Sequence, residues 1–404
     1  MRIPVITGIG IVSSIGWGKE AYWDALSSGV SGIGEITLFD TSGFRGRLGA
    51  QVKHFSPDDH FDRKESRRLS RCDMLGAVAL REALKDSGMD LSRCDRTRLA
   101  VVIGSGSGGL LSGEQFKKRL YHGQRPKPGL LASFTSSSFT DHIGLVTGAS
   151  GFRATISTAC SSSSTAIGMA GEIIRKGIAD VVITGGSESL TETTFAGFNS
   201  LRAVDEVPCR PFDRDRKGIS LGEGAAIYIV ETAEYAAARG RMAYAEIAGY
   251  GLSCDAYHAT APSPDGTGIS HAIHLALKSA GTNASEIGYI NAHGTGTPAN
   301  DAAETRAIKL ALGETAYRIP VSSTKSMIGH CLGAAGAKEA AAALLPFVRG
   351  VIPPTLRYGN PDPECDLDYV PHPRKSGNIS AVLSTSVAFG GNNTALILRR
   401  PESL

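Results

Sequence analysis

Four short stretches of the chain hold side chains able to do covalent or proton-transfer chemistry. In residues 157–165, STACSSSST, Cys160 falls where a strand should give way to the first turn of a helix. Unpaired N–H groups and the positive end of the helix dipole favour a thiolate there, so Cys160 is a candidate nucleophile. A buried, inert thiol is the competing reading; the flanking run of small polar residues, which leaves room for a substrate, weighs against it. In residues 291–301, NAHGTGTPAND, His293 follows an apolar run and precedes Gly294 and Gly296, which let a ligand approach the backbone, while Thr295 and Thr297 add hydroxyls. The plainer alternative for His293 is a turn histidine satisfied by hydrogen bonds. In residues 322–340, Lys325 and His330 stand five positions apart ahead of a glycine-rich helix start. Two imidazoles and an ammonium near a thiolate suit the stabilisation of a developing oxyanion or enolate. The same groups are only a generic metal-ligand set with no HExxH spacing, and no metal is expected. In residues 384–396, STSVAFGGNNTAL, Phe389, Gly390 and Gly391 follow a strand, where backbone N–H groups can form an oxyanion hole. The six other cysteines, Cys72, Cys94, Cys209, Cys254, Cys331 and Cys365, lack such settings and read as structural, and His258, His271 and His274 read as loop and helix-surface residues.

The elements that must position these residues alternate. Apolar runs of four to seven residues rich in Val and Ile predict strands over 5–11, 100–104, 155–159 and 180–184, with a helix over 161–176 carrying one apolar stripe. The second half repeats the theme: a strand over 288–291, a helix over 301–312, a strand over 320–323, an alanine-rich helix over 333–349 and last strands over 380–384 and 395–398. Strands of this kind alternating with helices predict an α/β fold with parallel strands covered on both faces. Glycine makes up 49 of 404 residues, about 12% against roughly 7% in ordinary proteins, and it clusters at the ends of apolar runs, so many tight turns are expected. No Pro- or Ser-rich linker divides the chain, which predicts two tightly packed halves, although no sequence repeat between them is evident.

Composition excludes several function classes. With 42% hydrophobic and 20% charged side chains the chain is not disordered, and its net charge of +3 is too small to point to nucleic acid. No apolar stretch approaches the roughly 18 residues of a membrane span, and MRIPVITGIG lacks the features of a signal peptide, so a cytoplasmic protein is expected. Seven cysteines without a CxxC pair suggest neither a disulfide framework nor a zinc ribbon.

Taken together, Cys160, His293, Lys325, His330 and Phe389 within RPFDRDRKGISLGEGAA, DAYH, NAHGTGTP and SSTKSMIGH resemble the elongating β-ketoacyl-acyl carrier protein synthases, the condensing enzymes of fatty acid synthesis. The resemblance runs from VITGIG to AFGGNN, nearly the whole chain. It implies the thiolase fold, two similar α/β halves in five layers (αβαβα), here residues 1–250 with the cysteine and 251–404 with the histidines and lysine. It implies a decarboxylative Claisen condensation of an acyl-enzyme thioester with malonyl-acyl carrier protein. Cys160 would take the acyl chain and His293 and His330 would bind the malonyl thioester carbonyl. Lys325 would stand behind them, paired with Asp301 and Glu304, with Glu339 in support. The N–H groups of Cys160 and Phe389 would form the oxyanion hole, the Phe389 ring would gate the pocket, and Thr295 and Thr297 would meet the phosphopantetheine arm. No separate cofactor is implied, since substrates ride on the carrier protein.

The resemblance also implies a homodimer, with a heterodimer of related subunits as the other arrangement, and a carrier-protein dock. Lys64, Arg67, Arg68 and Arg71, spaced i, i+3, i+4, i+7, predict one cationic helix face, and Arg125, Lys127 and Arg202 fall where relatives carry basic docking residues. Departures from the family lie around the acyl pocket. Residues 134–144, FTSSSFTDHIG, are polar where relatives are mostly apolar; Ser112 and Gly113 are small where relatives are bulky; Ala388 replaces a glycine. Buried hydroxyls need partners, so Ser136, Ser137 and Ser138 raise an alternative: a ketosynthase of a specialised type II polyketide or polyene pathway, working with a partner subunit.

Overall fold

The computed structural model of the chain describes residues 2–401. Ten strands carry the architecture: β1 (Pro4–Ser13), β2 (Leu99–Gly104), β3 (Arg153–Ile156), β4 (Val181–Glu188) and β5 (Gly224–Thr232) in the first half, and β6 (Ala245–Cys254), β7 (Ile287–Asn291), β8 (Val321–Ser322), β9 (Ala381–Val387) and β10 (Asn392–Arg399) in the second. Five helices cover them: α1 (Arg71–Ser87), α2 (Ser162–Arg175), α3 (Thr267–Ala280), α4 (Pro298–Leu312) and α5 (Ala335–Ala343).

Along the first half the strands lie in the order β3-β2-β4-β5-β1, and along the second in the order β8-β7-β9-β10-β6. In each, three parallel strands are followed by two antiparallel ones. The halves therefore repeat one topology, a duplication that no sequence repeat betrays. They meet where β1 pairs β6 over only Val5–Glu246 and Ile6–Ala245, and β6, which opens the second repeat, spans residues 250 and 251. α1 packs outside on β1, β4 and β5, α3 outside on β6 and β10 with α4 against it, and α2 and α5 lie between the two sets of strands. The order of layers is α, β, α, β, α.

The side chains explain the layers. Every residue of β1, β2, β4, β5 and β9 is buried, as strands covered on both faces must be, and their Val and Ile side chains suit that surface. The central helices need small residues because sheets press on two sides. A Cβ on Gly168 of α2 would stand 2.4 Å from the Tyr250 ring, and all of α5, AGAKEAAAA, is buried. No helix among the described residues is long and apolar enough to cross a membrane.

Several boundaries differ from the sequence-based expectations. The strand expected over 155–159 ends at Ile156, because Ala159–Ser161 turn as a 3-10 segment into α2. The helix expected over 333–349 is split into a 3-10 turn at Leu332–Ala334, α5, and one turn at Leu345–Val348 whose Pro346 cannot continue the ladder. α4 starts three residues early, with Pro298 in its first turn, where the missing N–H costs nothing.

Candidate active site

Both central helices begin with the same elbow. Ala159 (φ 51°) precedes Cys160 and Leu332 (φ 46°) follows His330 by two residues, each leading through a 3-10 turn into α2 or α5. A non-glycine residue held at positive φ is strained, and such strain persists where surrounding structure fixes it, often at functional sites. The elbow sets Cys160 at the mouth of α2, buried, on a cavity of about 340 Å³ that His293, His330 and Phe389 also line. Burial pushes the Cys160 thiol up to about 11, while the Lys325 ammonium and the Phe389 N–H pull the other way. The resting sulfur is thus a thiol, where the position at a helix mouth alone had suggested a thiolate.

The histidines are neutral, and their tautomers follow from their partners. Lys325 Nζ donates to His293 Nδ1 at 3.1 Å and to the His293 carbonyl at 2.6 Å. The Leu332 N–H donates to His330 Nδ1 at 3.2 Å. A ring nitrogen that accepts leaves the proton on the other, so each imidazole turns an Nε2–H to the cavity. Burial first, and then the Lys325 charge, holds both rings well below the usual histidine range. The rings stand edge to face, centroids 5.2 Å apart.

Lys325 is fully buried and its carboxylate partner is Glu339. This corrects the expected pairing with Asp301 and Glu304, which hold backbone instead. Asp301 accepts from the N–H groups of Phe212 (2.7 Å) and Gly296 (3.1 Å) and faces Arg216 at 3.7 Å. Glu304 accepts from His293 N–H (2.7 Å), Gly294 N–H (2.8 Å) and the Thr385 hydroxyl (2.6 Å), and burial lifts it to about 7. The HGTG turn is thus fixed from below by two carboxylates. It needs glycine at Gly294 (φ 37°), where a Cβ would stand 2.5 Å from Ser323.

Thr295 and Thr297 line the same cavity, their hydroxyls 2.9 Å apart. Phe389 stacks on Phe198, centroids 5.3 Å apart. Its loop turns through Gly390 (φ 80°), whose N–H donates to the Ala259 carbonyl. Phe198 and the segment Thr260, Ala261 and Pro262, also on the cavity wall, escaped the sequence reading because nothing in their types marks chemistry. Lys217 at the mouth was likewise missed, although it lies inside RPFDRDRKG.

The basic stretch departs from expectation. The helix over Arg63–Ser66 ends before Arg67, and α1 begins only at Arg71, so Lys64, Arg67, Arg68 and Arg71 do not share one helix face. Asp62 and Ser70 each cap a new helix, which breaks the run. Lys64, Arg67 and Arg68 are exposed, whereas Arg71 is bound to the buried Glu223 carboxylate at 2.6 Å. Arg125, Lys127 and Arg202 are exposed, and Arg202 also lines the cavity mouth. Of the other cysteines, Cys254 is exposed and Cys94 half-buried, while Cys72, Cys209, Cys331 and Cys365 are buried. His258, His271 and His274 are exposed.

A cysteine on an elbow, two neutral imidazoles and a buried ammonium, set between duplicated α/β halves, define a condensing site on the thiolase fold. Models of the β-ketoacyl synthase N-terminal and C-terminal domains match residues 3–236 and 244–359. The chain is 41% identical to 3-oxoacyl-(acyl-carrier-protein) synthase 2 of Staphylococcus aureus (strain COL), over 99% of this chain and 98% of that one. It is 42% identical to the protein of the same name from Synechocystis sp., over 98% and 97%. Among solved structures, the ishigamide ketosynthase/chain length factor superposes with a TM-score of 0.94 at 36% identity, covering 99% of this chain and all of that one. The chain belongs to the β-ketoacyl synthase family, the condensing acyltransferases.

Proposed function

We propose that the protein condenses an acyl chain held on Cys160 with malonyl-acyl carrier protein, giving 3-oxoacyl-acyl carrier protein in fatty acid synthesis. The observation that carries this reading is the pair of Nε2–H donors on one cavity with the cysteine. In the first half-reaction the Cys160 sulfur attacks the acyl thioester, displaces the pantetheine thiol and gives up its proton. The N–H groups of Phe389 and Cys160 hold the carbonyl oxygen as it gains charge. In the second, His293 and His330 donate to the malonyl thioester oxygen, carbon dioxide leaves, and the enolate carbon attacks the Cys160 thioester, whose acyl C–S bond breaks to release the Cys160 sulfur and the 3-oxoacyl product. Neutral donors suit this step, since they bind the enolate oxygen without protonating it. Lys325, held by Glu339, locks the His293 tautomer; Glu304 and Asp301 hold the turn; Thr295 and Thr297 line the path of the phosphopantetheine arm, with the Phe389 ring as gate. Comparing 3-oxoacyl product formed from acyl- and malonyl-carrier protein by wild type and by the cysteine and histidine variants tests the assignment.

The partner is an acyl carrier protein, whose acidic surface would meet Lys64, Arg67, Arg68, Arg125, Lys127 and Arg202. Replacing Lys64, Arg67 and Arg68 together by Glu is expected to raise KM for carrier-bound substrates far more than for small thioester mimics. Wild-type binding should weaken with salt, because exposed charges lose reach beyond about 10 Å at 0.1 M. Equal effects on both substrate kinds would remove this surface as the dock.

A second copy of the chain would cover the edge beyond β3. That strand ends the sheet with one side unpaired, and Leu131, Phe134, Leu145, Val146 and Phe152 are exposed beside it in sequence, Leu145 at 83%. Open edges and exposed apolar residues of this kind call for a partner.

The polar stretch no longer argues for a specialised pathway. Ser138 donates to Asp73 at 2.8 Å, Ser133 to Ser112 at 3.1 Å, and Ser137 shares a bond with Thr135 at 3.3 Å. These hydroxyls are satisfied locally, and Ser136, the remaining member of the run, is only half-buried, so the stretch makes no demand for an oxygenated chain. On a panel of acyl carrier proteins, saturated chains are therefore expected to load at least as fast as polyunsaturated or oxygenated ones. A strong preference for the latter would restore the polyketide or polyene alternative.

A further inference from the structure

Two nucleophilic side chains outside this mechanism lie buried against each other behind His330. Cys331 and Lys338 have no exposed surface, and Lys338 Nζ stands 3.1 Å from the Cys331 sulfur. Lys338 also donates to the Glu223 carbonyl at 3.1 Å. The nearby carboxylates are taken, Glu223 by Arg71 and Glu339 by Lys325, and among the described residues none forms an ion pair with Lys338. A buried ammonium without a counter-ion costs several kcal/mol. Burial pushes the Cys331 thiol up, and the Lys338 charge beside it pulls the other way. Sulfur and nitrogen, both nucleophilic elements, are held in contact.

Space is cleared for this contact by backbone. A Cβ on Gly222 would stand 3.1 Å from the sulfur, and one on Gly224 (φ 140°) would stand 3.0 Å from Nζ. Elsewhere α5 fills its buried positions with alanine and glycine apart from Glu339, which holds Lys325; among the described residues the Lys338 nitrogen bonds only the Cys331 sulfur and the Glu223 carbonyl. Cys331 is next in sequence to His330, which lines the cavity, but is not itself a lining residue.

We propose that Cys331 and Lys338 form a reversible sulfur–nitrogen cross-link when hydrogen peroxide enters the site. The Cys331 thiol gives up its proton to water as its sulfur attacks one peroxide oxygen; the O–O bond breaks, and the leaving hydroxide takes a proton from the Lys338 ammonium, giving a sulfenic acid, a neutral amine and water. The amine then attacks the sulfur, the S–O bond breaks, and the hydroxide leaves with an amine proton as a second water. Sulfur is oxidised by two electrons and the peroxide reduced by two. Two thiol equivalents, leaving as a disulfide, break the S–N bond and return both side chains to their starting forms. The link ties the loop of His330 to the helix that carries Glu339.

The test uses the full chain carrying Cys160→Ala, so that oxidation of the candidate nucleophile does not interfere. After hydrogen peroxide and trypsin, the linked protein should yield a peptide over 326–349, uncut after Lys338 and two hydrogen masses lighter than its sequence. Dithiothreitol should restore cleavage after Lys338. Adding Cys331→Ser should abolish the peptide, and Lys338→Met, which removes the tryptic site, should give a 326–349 peptide without the two-hydrogen loss. Recovery of Cys331 as a sulfinic or sulfonic acid with Lys338 cleaved normally, or an unmodified Cys331 while the exposed Cys254 is oxidised, would overturn the proposal.

Discussion

Cys160→Ala is expected to leave the protein folded and unable to accept an acyl chain. The substitution removes one sulfur from the start of a central helix and adds no atom. Burying a smaller side chain there costs stability on the order of 1 kcal/mol, well within what a chain of this size tolerates. Cys160 is the one thiol on the cavity, whose remaining lining is hydroxyl, imidazole, apolar and the Asn300 amide, with Arg202 and Lys217 at the mouth. Incubation with an acyl-carrier protein followed by intact mass measurement should show the acyl adduct on the wild type and none on the variant. An adduct forming at the wild-type rate would remove Cys160 as the nucleophile.

His293→Ala and His330→Ala are each expected to slow malonyl decarboxylation about 10²- to 10³-fold, the usual effect of losing one oxyanion donor. Acyl loading of Cys160 should fall less, since neither imidazole is needed as a base to hold the acyl oxygen. The protonation states add a second signature. Burial and the Lys325 charge keep both rings neutral, so wild-type decarboxylation should stay level as pH falls through about 6.5, where an ordinary histidine takes up its proton. A half-loss of rate near that pH would mean that at least one ring titrates in the open. A variant that decarboxylates normally but cannot be acylated would reverse the roles given to the histidines.

Much of this site was legible in sequence because its chemistry sits on short, contiguous motifs. Cys160, His293, Lys325, His330 and Phe389 each follow a strand or open a helix, and the apolar runs that mark those elements are long and regular. What sequence could not supply was contact between distant residues. Lys325 is fourteen residues from Glu339 and reaches it across one turn and a helix start, whereas Asp301 and Glu304, equally acidic and close to His293 in sequence, turn toward backbone N–H groups. Spacing also misled at Lys64 to Arg71, where helical periodicity continues across two N-caps that stop the helix. The duplication stayed hidden for a different reason. The two halves share strand order and the elbow before the central helix, features set by backbone and packing, while one carries Cys160 at its elbow and the other His330 two residues before its own.

The central claim, that two neutral imidazoles and one cysteine divide the reaction into loading and decarboxylation, is tested most directly by following both steps in one protein. The Cys160→Ala variant, supplied with malonyl-acyl carrier protein alone, should still release carbon dioxide and leave acetyl-acyl carrier protein, because the donors on His293 and His330 remain. That release should fall about 10²-fold or more when either histidine is also replaced by Ala. Carbon dioxide release that vanishes with the cysteine alone, or that survives loss of both histidines, would contradict the account.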